Sequence, residues 1–222
     1  RDGSPCMAMG AAAHGGLLLV SDYAMHRVVI FRDGHAVGEL VADGMRQPCG
    51  VATSDGVRAF LAGSSKVHVF LIASGECIAA WPTATPDGAC FECGHGLALH
   101  GDEVLLIDQR SCRVHVFSQQ GVYVRSWGRP GRSPGCFQQP WGVAVSNGHV
   151  LVSEFVGRRV QIFSIDGVAV GELQPDPDGC GELAAIWAAE DGRVLLADWG
   201  KHCVRTLQLQ LHRPSGRDPR LA

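Results

Sequence analysis

The sequence repeats itself, and the period of the repeat restricts the fold more than any other feature. A valine that opens a run of alternating residues recurs at separations of 39, 47, 46 and 44 residues, as Val28, Val67, Val114, Val160 and Val204. Eighteen residues before this valine, units one, three and four carry Gly10, Gly96 and Gly142, and unit five carries Ile186. Unit two is one residue shorter and has Gly50 at this place. A regular period of roughly 20 to 50 residues is typical of repeat arrays and propellers.

Each unit has the pattern of four short β-strands. In the fourth unit, the segments GVAV, HVLVSE, RVQIF and VAVGEL are rich in β-branched residues and are separated by turn signals. Four antiparallel strands in roughly 45 residues make one blade of a β-propeller. We therefore predict an all-β fold, a propeller of four-stranded antiparallel blades, in a single domain spanning 1–222. The predicted blades are 9–40, 47–81, 91–128, 137–173 and 181–209, followed by a polar tail at 212–222.

The fourth unit also resembles a known repeat. Its pattern resembles the NHL repeat through Phe137, Pro140, Gly142, Val143, Ala144, Val145, Glu154, Arg159 and Val160. The resemblance extends from about Met9 to Leu209 and is weaker in units two and five. NHL propellers usually have six blades, whereas five units are visible here and the fifth lacks an evident fourth strand. The resemblance therefore implies an incomplete ring, a fragment of a longer protein, or a ring completed by other residues.

An acidic residue and an arginine five positions later recur around the turn between the second and third strands. The pairs are Asp22 with Arg27, Asp108 with Arg113, and Glu154 with Arg159. We favour a structural clasp that closes the hairpin, because a recurring pair lacks the asymmetry of a binding site. The alternative is a ring of ligand-binding charges. Units two and five break the pattern with Lys66 and Cys203 at the arginine position, so looser loops are expected there.

The cysteines do not form a regular disulfide or zinc pattern. Their number is nine, and an odd count favours a reducing, cytoplasmic compartment, although nothing else in the sequence fixes the localisation. Cys90, Cys93 and His95 lie close enough in the sequence to begin a zinc site, but a closed site needs a further ligand. Cys90 shares its repeat position with Cys136 and Cys180, so we predict structural thiols, no metal and no cofactor.

Catalysis is the less favoured interpretation. Lyases and lactonases on similar propellers place histidine and carboxylate ligands at the axial ends of the first strands. The corresponding positions here are Met9, Cys49, His95, Trp141 and Ala185. One histidine in five positions does not make a metal cage. A propeller-type lyase or lactonase with His95 as catalytic residue is the alternative to a non-enzymatic protein.

Charge is distributed unevenly along the chain. The net charge is −3 and the isoelectric point is about 6.4, yet residues 109–159 hold seven arginines and one acid, Glu154. In a propeller, loops between second and third strands emerge on the same face as the connections between blades. We predict that this face binds a partner through Arg110, Arg129, Arg132, Arg158, Trp141 and Phe155. The opposite loops carry Asp33, Asp55, Glu76, Asp102, Glu103, Asp166, Glu190 and Asp191.

The partner predicted from these residues is a protein with an acidic segment, which makes the protein an interaction scaffold. Arginines interleaved with aromatic residues also suit phosphate contacts and base stacking, so RNA is the alternative partner. DNA is not expected, because the overall charge is negative. A membrane is not expected either, because the apolar stretches are far shorter than the roughly 20 residues of a spanning helix.

Overall fold

Five separate antiparallel sheets, arranged around one axis, contain all the strands of this computed structural model within the residues that it describes. These residues are 7–63, 66–82, 85, 94–173, 179–189 and 191–209. Blades one and two contain β1 Ala8–His14, β2 Leu17–Asp22, β3 Arg27–Arg32, β4 His35–Leu40, β5 Val51–Ala52, β6 Arg58–Ala62, β7 Lys66–Leu71 and β8 Cys77–Pro82. Blades three and four contain β9 Gly94–His100, β10 Glu103–Asp108, β11 Arg113–Ser118, β12 Tyr123–Trp127, β13 Pro140–Ser146, β14 His149–Glu154, β15 Val160–Ser164 and β16 Ala169–Leu173. Blade five contains β17 Leu183–Ala188, β18 Arg193–Asp198 and β19 Cys203–Gln208.

Strands are adjacent in the sheets in the order in which they follow one another in the chain. Blades one to four have four strands each, and blade five has three within the described residues. Within the described residues, the helical content is one 3-10 turn, Trp199–Lys201. The predicted all-β propeller is therefore confirmed. No helix among the described residues is long and apolar enough to cross a membrane.

The hydrophobic core lies between successive blades. Leu19 and Val28 of blade one pack with Val51 and Leu61 of blade two, and equivalent clusters join blades two with three, three with four, and four with five. We call these four contacts the closed boundaries. The repeated valine faces the next blade at each of them, and Val28, Val67, Val114 and Val160 are fully buried.

The repeated glycine lies on the inner strand, where the next blade approaches most closely. A Cβ atom at Gly96 would lie 2.8 Å from the carbonyl oxygen of Trp141, and one at Gly142 would lie 2.9 Å from that of Ala184. Gly10 and Gly50 are crowded in the same way by the following blade. The glycine in each of the first four units is therefore needed for contact with the following unit.

Blades five and one do not bury against each other the residues that correspond to the buried residues of the closed boundaries. Val204 occupies the repeated valine position and is 67% exposed, and Leu195 beside it is 40% exposed. On blade one, Leu18 is 41% exposed and Phe31 is only partly buried, whereas the equivalent Phe163 of blade four is fully buried. We call this gap the open boundary.

Candidate functional site

Two kinds of loop emerge together at one end of the ring, which we call the upper face. The turn after β14 is bonded to the connection before β13, because the amide of Phe155 donates to the carbonyl of Gln139 at 2.9 Å. The amide of Trp199 likewise donates to Glu182 at 2.8 Å in blade five. These bonds place the residues after the second strands beside the residues that precede the first strands, as the sequence predicted.

Aromatic side chains form a row on the upper face. The ring centroids of His95 and Trp141 are 4.3 Å apart, and those of Trp141 and Phe155 are 5.0 Å apart with the rings nearly parallel. The structure therefore brings together Trp141 and Phe155, two of the residues predicted to bind a partner. Such offset stacking holds large side chains in fixed positions while leaving their outer surfaces available for contact.

A cavity of about 390 Å³ opens beside this row, between blades four, five and one. We call it the aromatic pocket, and it is lined by Ala8, Met9, Trp141, Phe155, Ala184, Ala185, Ala197 and Trp199. Its lining contains no carboxylate, imidazole, hydroxyl, thiol or amine side chain among the described residues. A smaller cavity of about 60 Å³ lies on the axis, where inner strands of all five blades meet, and shares Met9, Trp141 and Ala185 with the pocket.

Trp199 and Met9 are pocket residues that the sequence analysis did not identify. A signal for Trp199 does exist in the repeat, because it follows the acid Asp198 just as Phe155 follows Glu154. Met9 shares its repeat position with Trp141 and Ala185, but the sequence pointed to it only as an axial position and not as a binding residue. Trp199 is 67% exposed, which makes it a prominent apolar group on this face.

The predicted arginines are spread more widely than the aromatic residues. Arg158 lies three residues after Phe155, and its Nη2 atom is 3.0 Å from Oε1 of Glu182. Arg110, Arg129 and Arg132 do not line the aromatic pocket. None of the four predicted arginines lines the pocket, and Arg158 is the nearest of them along the chain to a lining residue.

The connection between blades three and four carries two further arginines. The side chain of Arg129 donates from Nε to the sulfur of Cys136 at 3.3 Å. Neither Arg129 nor Arg132 takes part in an ion pair with any residue in the described ranges. Both guanidinium groups therefore retain a positive charge that no neighbouring carboxylate offsets there.

The acid and arginine pairs differ from blade to blade. In blade four, Nε of Arg159 is 2.7 Å from Oε1 of the buried Glu154, and Nη1 is 2.7 Å from Glu172. In blade one, Nε of Arg27 is 3.6 Å from Oδ2 of Asp22, a longer contact. The blade-four pair has the geometry of the predicted clasp, whereas the blade-one pair is an ion pair without a hydrogen bond between these two atoms.

The predicted clasp between Asp108 and Arg113 does not form. Asp108 instead accepts hydrogen bonds from the Ser111 hydroxyl at 2.5 Å and from the Arg110 amide at 3.0 Å. Arg113 donates to the hydroxyl of Ser126 on the neighbouring strand at 3.1 Å. Ser111 in the turn satisfies the carboxylate of Asp108, and Arg113 bonds to the neighbouring strand instead.

Blade five fixes its acid with a different arginine. Nε of Arg205, two residues beyond the expected position at Cys203, donates to Oδ2 of Asp198 at 2.7 Å. Burial would raise the pKa of Asp198, but bonds from Arg205 and from the amides of Gly181 and Lys201 outweigh it and hold the pKa below its usual value. The loop of blade two at residues 64–65 lies outside the described residues.

At the opposite end of the ring, which we call the lower face, three of the predicted acids are paired with arginines. Arg58 lies 3.2 Å from Asp55, and Arg193 lies 2.7 Å from Asp191. Nη2 of Arg125 donates to Glu103 at 2.8 Å, and the pKa of Glu103 is lowered by this hydrogen bond. Three of the predicted acids thus have arginine partners, whereas Asp33, Glu76, Asp102 and Asp166 form no ion pair with a residue of the described ranges. Glu190 lies outside the described residues.

The zinc hypothesis falls mostly outside the described residues. Cys90 and Cys93 are not described, and His95 stacks on Trp141. Within the described ranges, no three residues among histidine, cysteine, aspartate and glutamate come together as a metal site would require.

The fold defines the class of this protein as a five-bladed β-propeller. Residues 137–163 match the NHL repeat. The chain is therefore consistent with an NHL-repeat propeller, and the predicted resemblance is confirmed. No curated protein sequence matches this chain.

Solved structures share the architecture at low sequence identity. Glutaminyl cyclase of Myxococcus xanthus is 15% identical with a TM-score of 0.64, and the match covers 90% of each chain. A chain of the nidogen/laminin complex is 12% identical with a TM-score of 0.74, over 92% of this chain and 76% of that one. The WD40 propeller domain of Doa1 is 11% identical with a TM-score of 0.67, over 90% of this chain and 63% of that one. At these identities the similarity concerns the fold alone.

Proposed function

We propose that this protein is a non-enzymatic interaction module that binds a partner protein through the aromatic pocket of its upper face. The observation that carries the proposal is the composition of the pocket, which consists of aromatic, methionine and alanine side chains. Buried aromatic pockets are where protein interfaces concentrate their binding free energy. A general acid or base must lie within hydrogen-bonding distance of a substrate, and the described pocket lining supplies none. The similarity to a cyclase therefore supports no catalytic role for this pocket.

Arg158, which follows the pocket residue Phe155 by three positions, favours an acidic segment in the partner. The pair between Arg158 and Glu182 is exposed, and exposed ion pairs contribute little free energy. A carboxylate of the partner can therefore replace Glu182 beside Arg158 at small cost. The partner we propose inserts a large apolar side chain into the pocket and places an aspartate or glutamate next to Arg158.

Selection of peptides from a displayed random library tests this proposal. We expect enriched peptides to combine an aromatic or large aliphatic residue with a nearby carboxylate. Trp199→Ala should weaken their binding by about thirtyfold, because truncation of a central aromatic anchor typically costs about 2 kcal/mol. Trp187→Ala is the matched control, since Trp187 is also about half exposed but does not line the pocket. Equal losses for both variants, or unchanged binding of Trp199→Ala, would contradict the proposal.

RNA is the second candidate partner, and the unpaired charges of Arg129 and Arg132 favour it. Phosphate contacts release counterions, so the affinity for RNA falls steeply as salt is raised. Reversal of Arg129, Arg132 and Arg158 to glutamate should abolish binding to a single-stranded RNA probe if this alternative is right. A ligand that binds with a shallow salt dependence and is lost in Trp199→Ala supports the protein partner instead.

A further inference from the structure

The outer edge of blade five differs from the outer edges of the other blades. In blades one to four, the third strand pairs with a fourth, whereas β19 pairs only with β18 within the described residues. The amide of Leu209 donates to Gly192 on the β18 side at 2.8 Å. Because successive amides of a strand point in opposite directions, the amides of Val204, Thr206 and Gln208 point outward. In blade four, Ser164 is the equivalent of Gln208, and its amide donates to the carbonyl of Val168, just before the fourth strand.

We propose that β19 binds an extended segment of another protein, which pairs with it as an antiparallel fourth strand. Addition of a strand to a sheet edge uses main-chain hydrogen bonds for affinity and pockets for alternate side chains for specificity. The proposal concerns the outer edge of β19, which borders the aromatic pocket through Ala197 and Trp199, but it does not depend on the proposed function.

The other blades define the chemistry of this segment. Opposite the repeated valine, the fourth strands place a large apolar residue in each case, namely Leu40, Trp81, Trp127 and Leu173. The sequence AVGEL occurs twice as a fourth strand, at 36–40 and at 169–173. Its leucine pairs with Val28 in blade one and with Val160 in blade four. By the same register, the partner should carry leucine or tryptophan opposite Val204.

The surface beside β19 suits such a side chain. A groove of about 380 Å³ has an apolar side formed by Ala197, Trp199 and Val204, and its other lining residues are Asp198, His202 and Cys203. The exposure of Val204 contrasts with the complete burial of the other four repeated valines, which shows that this position is apolar but uncovered among the described residues. A leucine opposite Val204 would pack against it and enter this groove.

Charge adds a second requirement. The glutamate of AVGEL precedes the leucine, and Glu39 and Glu172 each lie near a guanidinium, at 3.0 Å from Arg27 and 2.7 Å from Arg159. In blade five, the cross-strand position of this glutamate is Arg205, whose Nε already bonds Asp198. Arg159 shows that one guanidinium of this fold can contact two carboxylates, those of Glu154 and Glu172. A segment with an acidic residue before its leucine therefore matches both the apolar and the charged position. The chain's own residues 210–222 read QLHRPSGRDPRLA, which lacks this pattern and holds two prolines.

The experiment uses the whole chain and a labelled peptide of sequence GVAVGELQ, which is that of residues 167–174. Fluorescence anisotropy should show saturable binding of this peptide and none of a scrambled peptide. Val204→Lys should weaken binding by about tenfold, because it removes the apolar contact opposite the leucine and costs about 1.4 kcal/mol. Val122→Lys is the matched control, since Val122 is 64% exposed in a turn of blade three and its replacement should leave peptide binding unchanged.

Hydrogen exchange separates strand pairing from nonspecific adhesion. The bound peptide should slow exchange at the amides of Val204, Thr206 and Gln208 and leave Leu207 unchanged. The proposal is overturned if the scrambled peptide binds equally, if both lysine variants lose binding alike, or if saturating peptide gives no protection. It is also overturned if the peptide binds only after deletion of residues 210–222, because the edge would then be occupied by the chain itself. Phe155→Ala tests the aromatic pocket separately, because Phe155 lines the pocket and not the groove beside β19, so failure of one idea leaves the other intact.

Discussion

The four closed boundaries and the open boundary contain the same kinds of residue in different environments. Val160 at a closed boundary is fully buried between blades four and five, whereas Val204, at the same repeat position, is 67% exposed. Both valines lie on the third strand of an antiparallel sheet with comparable pairing to the second strand. Within the described residues, Val204 lacks both a following blade and a fourth-strand residue such as Leu173, so pairing with the second strand alone does not bury the repeated valine.

The inner strands show the same contrast. At the closed boundary after blade four, the hydroxyl of Ser153 donates to the carbonyl of Ala184 at 2.5 Å and accepts from the amide of Gly142 at 3.0 Å. Blade five has Ala197 at the serine position and Ile186 at the glycine position. The serine is not common to the closed boundaries, because Ala62 and Ile107 occupy its position in blades two and three. The glycine is common to all four, and it is not needed in blade five, where no blade follows among the described residues.

The largest effect is expected from Gly142→Ala. The new Cβ atom would lie 2.9 Å from the Ala184 carbonyl oxygen, and backbone cannot move aside as a flexible side chain can. We expect a loss of about 3 kcal/mol in the free energy of unfolding, measured by urea denaturation, as for an overpacked core. Gly38→Ala is the control, because its Cβ atom would make only an ordinary contact, 3.7 Å from Ile30. If Gly142→Ala loses no more unfolding free energy than the control, the close approach of the following blade does not require glycine at this position.

A smaller effect is expected from shortening the repeated valine. Val160→Ala removes fully buried methyl groups from a closed boundary and should cost about 2 kcal/mol in unfolding free energy. Val204→Ala should change that free energy by less than about 0.5 kcal/mol, since its side chain is mostly exposed. Equal losses in urea denaturation would mean that another surface covers Val204 in solution, and that the boundary is closed there.

The smallest effect concerns pH. The pKa of Asp198 is lowered in the folded state, so its stabilising contribution is complete above the ordinary aspartate value of about 4 and is lost as pH falls through the lower, folded value. Asp198→Asn should therefore lower the urea midpoint at pH 6 and flatten its decline between about pH 4 and pH 2. Asp33→Asn, at an exposed turn of blade one, should retain the acid decline of the unmodified protein. An unchanged decline in Asp198→Asn would show that the bond to Arg205 does not hold blade five.

Much of the fold was predictable because the repeat is a local pattern. The spacing of the valines and the alternation within each unit predict four-stranded blades, since strand pairing here joins neighbours in sequence. The lack of an evident fourth strand in unit five was visible in the sequence as well. The open boundary was foreseen only as an incomplete or otherwise completed ring, because the exposure of Val204 depends on which surface packs against its blade.

The site was less predictable. Trp141 and Phe155 were identified because they lie beside the arginine-rich segment, and the structure stacks them. Trp199 comes from a different blade, and no property of a single unit places it in the same pocket as Phe155. The clasp predicted for blade three does not form because Ser111 lies in the same turn as Asp108. Its hydroxyl binds the carboxylate of Asp108 in place of Arg113.

The arrangement of the hydrophobic clusters has a consequence for how the chain folds. Each cluster of the described core joins consecutive blades only, so folding can proceed as a linear array in which each blade docks on its neighbour. Closure of the two chain ends, with its entropy cost for a long loop, is not a condition for forming any of these clusters. We therefore expect cooperativity to be greatest in blades two to four, which have neighbours on both sides, and local opening to begin at blades one and five.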